Sequence, residues 1–119
     1  MFDETLKTVV EETSGGVGAV IMGYDGIAIA QYFKPCDDID LHLIAVEYAN
    51  ILKEIRKAVE ILNTGVMEEV AIKTERFYVV IRTLTSEYFI ALTLERDGNF
   101  GKARYLLLRE AGSLREALL

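Results

Sequence analysis

The chain has 119 residues, of which 51% are hydrophobic, and its formal net charge at pH 7 is −6. This length is typical of one domain, so residues 1–119 are expected to form a single domain with a substantial core. The acidic balance argues against nucleic acid or an anionic membrane surface as a partner, because both bind to clustered lysine and arginine.

The apolar segments are too short to cross a membrane. The longest apolar runs, such as Tyr88 to Leu94, have about seven residues, whereas a spanning helix needs about 20. The N-terminus lacks the basic start and apolar core of a signal peptide, and the lone Cys36 excludes an intramolecular disulfide. A cytoplasmic location is therefore expected.

The first half of the chain is predicted to contain a helix, a β-hairpin and a long helix. Phe2 to Thr13 has its apolar residues on one helical face. Two short apolar runs, Val17 to Met22 and Ile27 to Phe33, flank a Gly/Asp turn and indicate a hairpin. The longest helix is predicted from about Ile39 to Leu62.

The ends of this long helix have recognisable signals. Asp38 or Asp40 is placed to cap its N-terminus, and Asn63 and Gly65 are expected to end it.

The second half is predicted to contain three strands and a helix. The strands are Val66 to Glu75, Phe77 to Leu84 and Tyr88 to Leu94, and the helix runs from about Phe100 to Leu118. The short turns make neighbouring strands antiparallel, and the nearly continuous apolar strands indicate a sheet that is covered on both faces. We therefore predict an α/β/α sandwich of the α+β type, in the order α-β-β-α-β-β-β-α. Its five-stranded antiparallel sheet has the long middle helix on one face and the terminal helices on the other.

The glycine-rich stretch "GGVGAVIMGYDGIAIA", residues 15–30, raises the question of phosphate binding. It matches neither the dinucleotide-binding nor the P-loop pattern, because its glycines precede a strand rather than open a helix. The stretch "GNFGKAR" near the last helix also lacks the Ser or Thr and the spacing of a P-loop. Structural roles are predicted instead: a helix cap and chain turn at Gly15 and Gly16, a close approach at Gly18, and the hairpin turn at Gly23 and Gly26.

No group of residues indicates catalysis, a cofactor or a metal. His42 is a single histidine near the start of the long helix, where a solvent-facing or interface role is favoured. Cys36 is next to Asp37, which disfavours a reactive thiolate. The acidic residues at 37, 38 and 40 lack the glycine and distal glutamate of a calcium loop. We expect a protein that is not an enzyme and that needs no cofactor.

The long helix is apolar around most of its circumference, which indicates burial on more than one side. Its sheet-facing stripe is predicted to consist of Leu41, Ile44, Tyr48, Leu52, Ile55 and Val59. Ala45 and Ala49 are placed on one flank with Lys53 and Arg56 nearby, while Val46 lies off the stripe. Small residues four positions apart allow a second copy of the helix to approach about a two-fold axis. The alternative is that the alanines are only good helix formers and Val46 is simply exposed.

The chain resembles the roadblock / dynein light chain domain family. The resemblance is carried by the element order, the hairpin in "GAVIMGYDGIAIA", the long middle helix and the C-terminal stretch "EYFIALTLERDGNFGKARYLLLREAGSLREAL". It spans nearly the whole chain, from about Phe2 to Leu119. It implies a non-enzymatic platform that dimerises through the long helix and the middle strand, joining two sheets into one, and that binds a small Ras-like GTPase.

Mapped onto this sequence, the resemblance implies two surfaces. The dimer seam would involve Ala45, Val46, Ala49, Lys53 and Arg56 in the helix, with Val70 and Ile72 or Ala71 and Lys73 in the edge strand. GTPase contact is expected at His42, Glu47 and Asn50. A bare domain of this kind is compatible with stimulation of GTP hydrolysis, with an adaptor that leaves turnover unchanged, or with a small-ligand sensor.

Overall fold

The computed structural model describes residues 1–35 and 40–119. The predicted order of elements is confirmed; the elements are α1 (Phe2–Glu12), β1 (Gly16–Gly23), β2 (Ala28–Phe33), α2 (Leu41–Leu62), β3 (Glu69–Lys73), β4 (Phe77–Thr83), β5 (Tyr88–Glu95) and α3 (Phe100–Ala117). The largest difference from the prediction is in β3, which is shorter at both ends. Cys36, Asp37, Asp38 and Ile39, which entered the predictions, lie outside the described residues.

The long helix α2 begins and ends at residues that the sequence indicated. The Asp40 Oδ1 atom accepts a hydrogen bond from the Leu43 N–H at 3.0 Å, which satisfies one of the free amides at the helix start. At the other end, Asn63 adopts a left-handed conformation with φ 54°, and Gly65 follows with φ 106°. These caps fix the length of α2 across the sheet.

The five strands form one antiparallel sheet in the order β2-β1-β5-β4-β3. β1 and β5 are therefore central, and all eight residues of β1 are buried. β2 and β3 are the two edges, and each has one row of backbone groups that the sheet does not pair. The prediction that β3 is an edge strand is confirmed.

Each face of the sheet has its own hydrophobic core, as predicted. α1 and α3 cover one face with fully buried side chains such as Leu6, Val9, Leu106 and Leu114. α2 covers the other face, where Leu52 packs with Met22 and Phe89 of the central strands. None of the helices formed by the described residues is long and apolar enough to cross a membrane.

The glycine-rich stretch has the structural roles that were predicted for it. Gly15 has φ +81° and turns the chain after α1, while Gly26 has φ +87° in the hairpin turn and donates a hydrogen bond to the Gly23 carbonyl at 2.9 Å. Gly18 packs directly against the ring of Phe33 in β2, where a Cβ would collide. The second candidate, at the start of α3, has a side-chain cap, because Asn99 Oδ1 accepts the Lys102 N–H at 3.0 Å.

Candidate interaction surface

Small residues set the position of α2 over the sheet. Ala45 and Ala49 are 4% and 1% exposed and pack with Leu52 into the core of this chain. Their short side chains let the helix backbone lie close to β1. The predicted sheet-facing stripe is confirmed for Leu52, which is buried, and for Tyr48, Ile55 and Val59, which pack against the same core. The placement of Ala45 and Ala49 on a flank is wrong. The helix is rotated so that both alanines face the sheet rather than a flank.

This rotation leaves an apolar flank of α2 only partly covered. Ile44 and Tyr48 border a shallow depression with Phe77 and Val79 of β4, so this flank lies on the side of β4 and β3. Burial raises the pKa of the Tyr48 hydroxyl, which stays neutral at physiological pH. Ile51 lies between Tyr48 and Ile55 on the helix and is 45% exposed. A row of large apolar side chains is therefore incompletely buried by this chain.

The edge strand β3 continues the same apolar surface. Val70 and Ile72 are half-buried and pack against the core beneath α2. Beyond them, the outer row of β3 backbone groups has no strand partner in the sheet. We call the combined surface the α2–β3 face; it consists of Ile44, Tyr48, Ile51, Ile55, Val59, Val70 and Ile72.

The residues predicted for the dimer seam lie in several different places. Val46 is on the opposite flank of α2, where its Cγ1 is 3.7 Å from the position that a Cβ on Gly26 would take. Arg56 lies over the Tyr24 ring, with Cζ 4.1 Å from the ring centroid, and its Nη1 donates to the Ser86 carbonyl at 2.7 Å. Lys53 is half-buried. The rotation of α2 thus separates the side chains of Val46 and Arg56 from the α2–β3 face.

The strand residues of the predicted seam are accessible. Ala71 and Lys73 are exposed on the opposite face of β3 from Val70 and Ile72. The Lys73 Nζ atom lies 5.3 Å from the centroid of the Tyr78 ring on β4. Both residues lie along the free backbone edge, so main-chain pairing of β3 would bring them to their counterparts in a second copy.

The three predicted GTPase contacts are all exposed. Glu47 and Asn50 lie on the outward surface of α2, adjacent on the helix to Leu43, which is 54% exposed. His42 lies nearer the hairpin, beside Gly26–Gln31. This outward surface of α2 is therefore distinct from the α2–β3 face, and Leu43 lies on it between polar side chains.

Sequence reasoning did not identify the incompletely buried apolar residues of the α2–β3 face as one surface. Ile51 belongs to the recurring apolar positions, but it was assigned to no surface. The signal that would have identified it is the full apolar arc of α2, from Ala49 through Leu52 to Ile51, which is wider than a stripe that faces one sheet.

Comparison with known proteins agrees with this fold. A sequence model of the Roadblock/LC7 domain family matches residues 2–94. MglC from Myxococcus xanthus is 38% identical, with 96% of each chain covered and a TM-score of 0.70. A Roadblock/LC7 domain from Streptomyces avermitilis is 17% identical, with 98% of this chain and 96% of that chain covered and a TM-score of 0.84. MglB in a tetrameric arrangement is 17% identical, with 95% of this chain and 84% of that chain covered and a TM-score of 0.83. No curated protein matches the chain significantly.

Proposed function

Because this chain belongs to the Roadblock/LC7 domain family, we propose that it is a homodimeric, non-enzymatic regulator or scaffold that binds a small Ras-like GTPase in the cytoplasm. The observation that carries the proposal is the α2–β3 face, where an incompletely buried apolar helix flank adjoins an unpaired strand edge. A surface of this kind is suited to another copy of itself, because isologous contact covers both the apolar and the hydrogen-bonding groups.

In the proposed dimer, two copies of β3 pair antiparallel and join the two sheets into one. The two α2 helices then lie side by side above the junction, and Ile51 is buried against its counterpart. Main-chain pairing brings Ala71 and Lys73 close to the same strand of the partner. The solved MglB structure in a tetrameric arrangement supports oligomer formation on this fold.

The GTPase binds across the outward surfaces of the paired α2 helices. Leu43 supplies an apolar anchor, and His42, Glu47 and Asn50 supply polar contacts around it. The GTPase's own residues perform phosphoryl transfer, and the dimer favours the hydrolysis-competent state by binding it more tightly. Such a regulator needs no catalytic residue of its own.

A second candidate function is an adaptor that binds partners without changing GTP turnover. Identity to MglB is 17%, which is a likeness of fold, whereas identity to MglC is 38%. Binding alone requires only these surfaces, whereas stimulation of GTP hydrolysis also requires a preference for one conformational state of the GTPase.

The test is GTP turnover by a Ras-like GTPase encoded beside this chain, with and without excess of the protein. The complex is sized in the same samples. Faster turnover in a complex of two copies to one GTPase supports the regulator. A stable complex with unchanged turnover supports the adaptor, and no complex in either nucleotide state contradicts both for that GTPase.

Two variants locate the binding surface. Leu43→Asp should prevent the complex, because a charge replaces the apolar anchor. Leu108→Asp is the matched control on the exposed surface of α3, where the leucine is similarly accessible. Equal loss of binding in both variants would contradict the assignment to α2.

A further inference from the structure

A cleft of about 710 Å³ lies at one end of the sheet, and its lining does not include His42, Glu47 or Asn50. It is formed by the second half of α2, the segment leading into β3, the β4–β5 turn and the end of α3. Its volume is within the range of ligand-binding clefts. Its apolar lining includes Val59, Val66, Met67 and Leu84.

Three arginines from three different elements line this cleft: Arg56 of α2, Arg82 of β4 and Arg115 of α3. Two of them are held by the β4–β5 turn. Arg56 Nη1 donates to the Ser86 carbonyl and Arg115 Nε donates to the Leu84 carbonyl, both at 2.7 Å. A guanidinium has five N–H donors, so each arginine is oriented by one bond and keeps others for a ligand.

The positive charge of the cleft is incompletely neutralised. Among the described residues, no carboxylate lies within 4 Å of Arg56 or Arg115. Arg82 Nη1 is 3.7 Å from Glu69, but that carboxylate pairs more closely with Arg104, at 2.8 Å. Arg82 Nε is buried and has no acceptor among the described residues. Glu60 and Glu68 also line the cleft, and both are exposed.

The surroundings favour a carboxylate over a phosphate. The cleft is lined by the C-terminal halves of α2 and α3, whose dipoles disfavour a doubly charged phosphate more than a singly charged carboxylate. Phosphate sites instead use helix N-termini and successive backbone N–H groups. The apolar lining also requires a ligand that carries apolar groups beside its charge. Val66, at 86% exposed, lies at the open side of the cleft.

We propose that this cleft binds an acidic segment of a protein partner, with a side-chain carboxylate against Arg56, Arg82 and Arg115 and a neighbouring apolar side chain against Met67 and Leu84. Charge complementarity selects this occupant: the chain is acidic as a whole, with a net charge of −6, yet the cleft presents guanidinium groups. The site is independent of the proposed GTPase surface.

The test is an NMR titration of the full chain, observing the arginine Nε–Hε resonances. The probes are the peptides acetyl-LELEL-amide and acetyl-LQLQL-amide, and inorganic phosphate. We expect saturable shifts of the Arg56, Arg82 and Arg115 signals with the glutamate peptide, and at least about tenfold weaker binding of the glutamine peptide. Equal binding of both peptides, tighter binding of phosphate, or no saturable shift would overturn the proposal.

Variants provide the second measurement. Arg115→Gln and Arg56→Gln should each raise the dissociation constant of the glutamate peptide by about tenfold, because each removes a charged donor. Arg109→Gln is the control, since Arg109 pairs with Glu12 and Glu110 outside the cleft. The wild-type side-chain shifts remain decisive if Arg115→Gln also loosens the β4–β5 turn. An equal rise in this dissociation constant in Arg109→Gln would overturn the assignment of the peptide to the cleft.

Discussion

Gly18 in β1 lies opposite Phe33 in β2, and the phenyl ring occupies the space of a Cβ. We expect Gly18→Ala to lower the free energy of unfolding by about 1–3 kcal/mol, because β1 is buried and the ring has to shift. Gly112→Ala is the matched control: among the described residues, no atom beyond its own stretch of helix lies within 4 Å of its Cβ position, and this variant should stabilise α3 by about 0.5–1 kcal/mol. Urea denaturation of both variants checks the prediction, and a neutral Gly18→Ala would contradict it.

The ionisation of Tyr48, on the α2–β3 face, should make the free energy of unfolding depend on pH. Burial raises the pKa of its hydroxyl, so the folded chain retains the proton at a pH where the unfolded chain has lost it. The free energy of unfolding should therefore fall as the pH rises above about 10. Tyr48→Phe should reduce this fall, because it removes the hydroxyl whose pKa is raised. Urea denaturation from about pH 8 to about pH 11 checks the prediction, and an unchanged slope in Tyr48→Phe would contradict it.

At the scale of the element, α2 has two flanks with different predicted roles. Ile51→Lys places a charge in the proposed seam, so the dimer dissociation constant should rise by at least about tenfold. Ile61→Lys is the control near the end of the same helix, where the side chain is 83% exposed. Sedimentation equilibrium of both variants checks this. A dimer that tolerates Ile51→Lys as well as Ile61→Lys would place the seam elsewhere.

The elements themselves were predictable because their signals are local. The nearly continuous apolar runs of β4 and β5, the hairpin glycines and the Asp40 cap all act within a few residues. The orientation of α2 was not predictable in the same way. Hydrophobicity ranks alanine below isoleucine, but the space between helix and sheet admits Ala45 and Ala49 and leaves Ile51 outside.

At the scale of the whole molecule, dimer formation should couple stability to concentration. If two folded chains associate and unfolded chains do not, mass action raises Tm with protein concentration. We expect a rise of several degrees over a hundredfold range for the wild type and a smaller rise for Ile51→Lys. Calorimetry at several concentrations checks this, and a Tm independent of concentration would contradict the dimer.

The arginine cleft is also a feature of the whole molecule, and the sequence alone did not reveal it. Arg56, Arg82 and Arg115 lie on a helix, a strand and another helix, with no spacing that marks them as a set. Only the folding of both sheet faces brings their guanidinium groups to one end of the molecule.

The burial of β1 limits the amino-acid substitutions that this chain tolerates during evolution. Each of its eight residues is buried between two neighbouring strands and two layers of helices, so polar substitutions should not be tolerated at any of them. Asp25, Ile27 and Ile29, a few positions along, are exposed. Among descendants of this sequence, variation should therefore change abruptly at the hairpin, and partner specificity should diverge on the helices and edges while the central strand stays nearly constant.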